Sequence, residues 1–206
     1  MHRKKTSYNR GMIRNLVFDV GGVLCDEVGA HALVNLDRAE QDKLADLFYY
    51  KSPGFRDCLL GQQSVAEYQE KLRSEYPDYV EEINFLFDAK NMWQTNPIKP
   101  EVLEYLHSLK TRYSIYFLSN MVDTTWHYLE SALGEFDGGV YSFQERVKKP
   151  DARLFQILLD RYTLRPNETL FFDDRERNID AARKLGINAE IFTELDDIDE
   201  AIRKYD

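Results

Sequence analysis

The spacing of hydrophobic positions along this chain changes character twice. Leu16, Val17, Phe18 and Val20 form an apolar run with no polar alternation, interrupted by Asp19 and followed by Gly21-Gly22-Val23-Leu24. Such a run predicts a strand buried on both faces, with Asp19 where the strand runs out. From about Gly29 to Gln94 the period is helical and no buried strand is evident. Gln41 to Tyr50 puts Leu44, Leu47 and Phe48 on one face, and Ser52-Pro53-Gly54 breaks the pattern. Ser64-Val65-Ala66-Glu67 has the form of a capping box, with Val65, Tyr68 and Leu72 following at helical spacing. Pro77 ends that helix, and Asp78 is expected to cap another that carries Tyr79, Ile83 and Leu86.

From Pro97 onward helices and strands alternate. Helices are expected over Pro100 to Lys110, Val122 to Leu133, Asn178 to Leu185 and Asp197 to Lys204, and strands over Tyr113 to Leu118, Val140 to Phe143, Thr169 to Phe172 and Ile187 to Phe192. Pro150 is expected at the first position of a further helix, with Leu154, Phe155, Leu158 and Leu159 inward. This alternation argues for an α/β fold: a parallel sheet with helices on both faces, and a helical segment inserted after its first strand. Asp19, Ser119 and Asp173-Asp174 follow strands, while Lys149 precedes a helix. All four signals should therefore face one edge of the sheet, where such folds bind ligands.

The 206 residues suffice for a core with one insertion, and 43% hydrophobic against 31% charged residues describes a packed globule. A net charge of -9 without a basic stripe argues against nucleic acid and anionic membrane as partners, yet leaves room for a locally positive site. No apolar run approaches the ~20 residues of a membrane span. Cys25 and Cys58 lack metal-ligand spacing, which speaks against structural zinc and for a reducing cytoplasm. Residues 1–11, with Arg3, Lys4, Lys5 and Arg10, read as a flexible basic tail, and Met12 is an alternative start. The chain is expected to be a monomer or homodimer.

An aspartate can attack phosphorus and form an aspartyl phosphate, provided the negative charge of the phosphate is offset. A lysine, a hydroxyl, helix-start N–H groups and a magnesium ion would do so, and magnesium favours carboxylate oxygens. Asp19 with Asp174 suits that need, and Gly21 and Gly22 would let a ligand approach the main chain closely. Each signal also has a plainer role. Ser119-Asn120 would cap the next helix, Lys148-Lys149 would be a solvated pair, and Asp173-Asp174 would cap the helix at Arg175. Their conjunction in one α/β chain outweighs those separate readings.

The motifs Phe18-Asp19-Val20-Gly21-Gly22-Val23-Leu24, Leu118-Ser119-Asn120, Lys148-Lys149-Pro150-Asp151 and Phe171-Phe172-Asp173-Asp174-Arg175-Glu176-Arg177-Asn178-Ile179-Asp180-Ala181-Ala182 together resemble the haloacid dehalogenase superfamily over about residues 13–192. The resemblance implies a Rossmann-like sheet of order 5-4-1-2-3. It divides the chain into a core of residues 12–28 and 96–206 and a small helical cap of residues 29–95. It also implies a magnesium-dependent phosphatase of a small phosphorylated metabolite. Asp19 would be the nucleophile, and Ser119 and Lys149 would be catalytic beside it. Substrate contacts would come from Gly22, Ser119, Asn120 and Lys149, and metal ligands from Asp19, Gly21, Asp173 and Asp174.

Most phosphatases of that superfamily carry a second aspartate where Gly21 stands, as general acid and base. The sequence resembles most the branch acting on sugar phosphates such as glucose 1-phosphate. General acid catalysis contributes roughly 10²–10⁴-fold and matters least for good leaving groups, so Gly21 predicts a bias toward anomeric, acyl or aryl phosphates, with Asp26 or water in the missing role. Competing readings are a metal-free dehalogenase using the same Asp19, and a binding protein with a weakened site. A receiver domain places its acidic pair before its phospho-acceptor, the reverse of the order here. His2, His31, His107 and His127 show no catalytic spacing. The aromatics of the insertion (Phe48, Tyr49, Tyr50, Phe55, Tyr68, Tyr79, Phe85, Phe87, Trp93) are expected to fill its core, a few lining the entrance. Arg56 reads as a surface arginine, with a substrate anchor as the alternative.

Overall fold

In the computed structural model, residues 12–205 are described, so the expected basic tail lies outside them. Five parallel strands, β1 (Asn15–Phe18), β2 (Ser114–Ser119), β3 (Gly138–Tyr141), β4 (Thr169–Asp173) and β5 (Asn188–Ile191), form one sheet in the order β3-β2-β1-β4-β5. Read from its other edge this is the expected 5-4-1-2-3. The first strand is central: Phe18 is in register with Phe117 of β2 and Phe172 of β4, so three chains leave the sheet side by side.

Helices α1 (Arg38–Ala45), α2 (Pro53–Leu59), α3 (Val65–Glu75), α4 (Val80–Phe87) and α5 (Met92–Thr95) follow β1, and a wider helical turn over Asp46–Tyr50 extends α1. After α6 (Pro100–Leu109) come β2, α7 (Asp123–Leu133), β3, a single turn α8 (Ser142–Glu145), α9 (Ala152–Arg161), β4, α10 (Glu176–Lys184), β5 and α11 (Asp196–Tyr205).

The strands bury both faces, as their unbroken apolar runs require. Leu16, Phe18, Phe117 and Phe172 pack with Leu106, Leu129, Ile198 and Ile202 on one face. Val17, Leu118 and Phe171 pack with Leu154, Phe155, Leu158 and Ile179 on the other. Phe18 and Phe172 stack with ring centroids 5.0 Å apart. The inserted helices hold a third apolar cluster, in which Leu44, Phe48, Val65, Tyr68, Leu72, Ile83 and Leu86 meet Val122 at the start of α7.

Local capping explains most helix starts. Ser64 and Glu67 form the expected reciprocal box at α3. Ser52 caps α2 by accepting the Phe55 N–H, with Pro53 in the first turn.

Four expectations are corrected. Asp78 caps nothing: it lies in a tight turn over Pro77–Tyr79, and α4 begins after Tyr79 without a side-chain cap. Pro150 precedes α9 rather than opening it, because the Asp151 carboxylate accepts from the Arg153 N–H and caps the helix there. The third strand begins at Gly138 and ends at Tyr141, and Phe143 turns into α8. Its glycines obscured it, yet the Tyr162 hydroxyl fixes Gly139 by bonding its N–H at 2.9 Å and its carbonyl at 3.1 Å. Trp93 is not core but 62% exposed, since Met92 and Thr95 take the inward face of the short α5. Among the described residues no helix is long and apolar enough to cross a membrane.

Candidate active site

Three strand ends build the site. Asp19 follows β1, and its backbone N–H is tied to the Phe172 carbonyl at 2.9 Å. Its Oδ1 accepts the Val20 N–H at 2.7 Å, while its Oδ2 lies 2.8 Å from Lys149 Nζ. Ser119, the last residue of β2, is buried beside that carboxylate, and its hydroxyl pulls the Asp19 carboxyl down. Lys149 is not one of a solvated pair. Its side chain is fully buried, and Nζ bridges Asp19 to Asp173 Oδ2 at 2.6 Å. A buried ammonium held by two carboxylates is a costly arrangement that folding alone does not require.

Asn120 does not cap α7, whose cap position is Val122 without a side-chain bond. Its amide instead clamps the Lys149 backbone. Oδ1 accepts the Lys149 N–H at 2.8 Å and Nδ2 donates to the Lys149 carbonyl at 3.1 Å. Asp173 has no exposed oxygen. Beyond Lys149, its Oδ1 accepts the Arg175 N–H at 2.9 Å, and both oxygens accept from Asn178 Nδ2, at 2.8 and 2.9 Å. Asp173 thus also does part of the plainer, turn-forming job. Asp174 is exposed, with Oδ1 3.6 Å from Arg175 Nε.

One oxygen each of Asp19, Asp173 and Asp174 lies within 4.8 Å of the others. Three hard anionic donors at that spacing suit a small divalent cation such as magnesium. Asn178 Oδ1, buried on the cavity wall without a partner, is a further acceptor facing this region. Burial pushes the Asp19 carboxyl up to about 7, against the pull of Lys149 and with the push of Asp173. Burial likewise raises Asp174, opposed by Arg175.

Asp19 and Ser119 open into a cavity of about 690 Å³, bounded by the sheet edge and by Tyr49, Phe55 and Phe87 of the insertion, while Lys149, Asp173 and Asp174 stand off its wall. Asp19, Gly21, Ser119 and Asn120 line it. Gly22 does not: its N–H is spent on the Cys25 carbonyl at 2.8 Å. Its contribution is space. It has φ +77°, and a Cβ there would stand 2.6 Å from Asp174 Oδ2. Asp26 also lies off the wall, paired with Lys99 at 3.1 Å.

Sequence reasoning missed Glu27. A Cβ on Gly21 would stand 2.3 Å from Glu27 Oε1, so this carboxylate fills the room of the side chain that Gly21 lacks. Glu27 Oε2 is held by Arg175 Nη2 at 2.5 Å, and both residues line the cavity. The thiols of Cys25 and Cys58 are free and buried, which pushes each up to about 12 and leaves neither a ready nucleophile.

Comparisons with known proteins bear on the family and the fold. A family model described as haloacid dehalogenase-like hydrolase matches residues 13–186. A D-ribitol-5-phosphate phosphatase of Bacteroides thetaiotaomicron is 28% identical over 189 residues, covering 85% of this chain and 89% of its own. The magnesium complex of a haloacid dehalogenase family enzyme from Bacteroides thetaiotaomicron superposes with TM-score 0.72 at 22% identity, covering 94% of this chain and 100% of that one. A predicted hydrolase of the same type from Porphyromonas gingivalis gives TM-score 0.69 at 23% identity, covering 94% and 98%.

Proposed function

The chain belongs to the haloacid dehalogenase-like hydrolase family, and from that premise we propose that it is a magnesium-dependent phosphatase of a small phosphorylated metabolite, a sugar phosphate being the class favoured. The observation that carries the reading is the bridge of Lys149 Nζ between Asp19 and Asp173, with Asp174 close by, at the ends of neighbouring strands. Asp19 attacks phosphorus through a carboxylate oxygen as the bond from phosphorus to the ester oxygen breaks, that oxygen taking a proton from water; water then cleaves the aspartyl phosphate at phosphorus, releasing phosphate and restoring the carboxylate. Lys149 holds the Asp19 carboxylate in place and offers its charge to the transferring phosphate. The Ser119 hydroxyl donates to a phosphate oxygen. Asn120 keeps Lys149 in register, and Asp173 anchors its ammonium.

Asp19, Asp174 and the Gly21 carbonyl would hold magnesium, with Asp173 behind them. The ion, when bound, offsets the charge of the phosphate. The related D-ribitol-5-phosphate phosphatase supports a polyol or sugar phosphate as substrate. The helices of residues 29–95 would act as a cap that shapes the entrance, since their aromatics form one side of the cavity. A metal-free dehalogenase would have no use for three converging carboxylates.

Phosphate release from a panel of sugar phosphates, with and without magnesium, tests the reading against Asp19→Asn. Release by the parent chain should require magnesium, and the variant should fall by at least about 10³-fold. Equal release from both would overturn the nucleophile. Gly21 further implies faster release from glucose 1-phosphate than from glucose 6-phosphate, and the opposite preference would remove that bias.

A further inference from the structure

The pairs around Asp19 leave three cavity-wall cations unmatched. Arg56 comes from α2 of the insertion, Lys148 from the segment before the buried lysine, and Arg177 from the first turn of α10. Other charges on the wall have partners: Asp19 has Lys149, Glu27 has Arg175, and Lys51 has Asp46. Among the described residues, none of the three has a carboxylate oxygen within 4.0 Å. The wall carries one unpaired carboxylate in return, Asp57.

Lys148 lies in the field of both arginines. The Lys148 ammonium is held below its ordinary range, first by burial and then by Arg177, Arg56 and Arg175. A protein with 36 acidic against 27 basic side chains has carboxylates enough to pair every cation. Like charges gathered in a cavity cost stability unless an anion joins them. The transferring phosphate already has Lys149, Ser119 and a fitting metal site. Its match is therefore made elsewhere than at Arg56.

We propose that the substrate carries a second anionic group, a carboxylate or a second phosphate, which Arg56, Lys148 and Arg177 bind while the transferring phosphate meets Asp19. The inference rests on the phosphatase reading above and deepens it: the class is a phosphorylated sugar acid or a sugar bisphosphate. Arginine suits this task because its planar fork meets carboxylate or phosphate with two parallel hydrogen bonds. Arg56 from the insertion and Arg177 from the sheet side would then close on the anion from two directions, so its binding also brings the two halves of the entrance together.

Three substrates that differ at one carbon provide the test: glucose 1-phosphate, glucuronic acid 1-phosphate and glucose 1,6-bisphosphate. The parent chain should favour the two doubly anionic compounds in kcat/KM by about 10–100-fold, the size of one or two charge-assisted hydrogen bonds. Whichever of the two leads identifies the anion. Arg56→Gln and Arg177→Gln should each cut that preference several-fold, and Lys148→Gln with them should bring it near one. Arg56 and Arg177 are exposed, so their replacement spares the core. A parental preference near one, or variants that slow all three substrates by the same factor, would mean that the cations serve the transferring phosphate alone, and would overturn the inference. No release from any of the three, nor from an aryl phosphate, would instead sink the phosphatase reading on which it stands.

Discussion

Replacing Lys149 by methionine keeps the aliphatic stem and deletes the charge that joins two buried carboxylates. The ammonium lies 2.8 Å from Asp19 and 2.6 Å from Asp173, and its side chain is inaccessible to solvent. At an effective dielectric constant of about 20, each contact is worth about 6 kcal/mol of attraction, most of it cancelled by desolvation. Removing one partner of a buried pair typically costs about 3–5 kcal/mol. The low end, about 3 kcal/mol, is expected here, because Asp173 keeps Asn178 and the Arg175 N–H, and Asp19 keeps the Val20 N–H.

The loss should depend on pH. Asp19 is already raised to about 7, chiefly by burial and against the pull of Lys149, so losing the lysine raises it further. A carboxyl whose folded value exceeds its unfolded value of about 4 binds more protons when folded, so its effect on stability worsens as pH rises between the two. That window ends near 7 in the parent chain and higher in the variant. The deficit of the variant should therefore grow between about pH 6 and about pH 8.5. Urea unfolding of the metal-free proteins, extrapolated linearly, measures it. A deficit below about 1 kcal/mol at the higher pH, or one that does not change with pH, would refute the buried-bridge argument.

Gly22→Ala places a methyl 2.6 Å from Asp174 Oδ2 at φ +77°. It should cost about 1–2 kcal/mol in thermal or urea unfolding and raise the magnesium concentration for half-maximal activity about 10-fold or more; an unchanged magnesium titration would count against Asp174 as a ligand. Gly61→Ala, at φ +59°, puts its Cβ 1.9 Å from the Phe143 carbonyl oxygen, so α2 must part from α8. A loss of about 3 kcal/mol is expected in unfolding experiments, and one under about 1 kcal/mol would contradict that contact. Gly21→Asp should not restore an acid by itself, because its Cβ meets Glu27 Oε1 at 2.3 Å. Turnover of glucose 6-phosphate should fall in the single variant and recover by about 10²-fold when Glu27→Ala is added. A single variant faster than the parent would show that Glu27 does not own the space.

Most of the sheet was legible because an unbroken apolar run admits few alternatives. The runs ending at Asp19, Ser119 and Asp173 placed three strand ends on one edge, and the alternating helices fixed the parallel sense. The boundary of β3 was not legible, since Gly138 and Gly139 argue locally against a strand and only Tyr162, more than twenty residues later, makes them useful. Trp93 was misplaced for a related reason: in a one-turn helix the hydrophobic residue that points inward is settled by its neighbours rather than by period.

At the site the division follows chemistry rather than distance along the chain. Lys149 could be picked out because a lysine and two acidic positions at sheet-edge turns have few other reasons to coincide. Glu27 could not, because its meaning depends on a side chain that is absent. The six residues after Gly21 return a carboxylate to that glycine, and Arg175, just past β4, holds it there. Asp26, its neighbour, looked equally able to fill the gap from sequence and is turned away onto Lys99. One backbone rotation decides between two adjacent acids, and no pattern of residue types records it. Arg177 was an unremarkable arginine in the sequence and Arg56 a surface arginine with a substrate anchor only as the alternative; the two become partners because the insertion folds back over the end of the sheet and leaves both on one wall, with no carboxylate among the described residues to satisfy them.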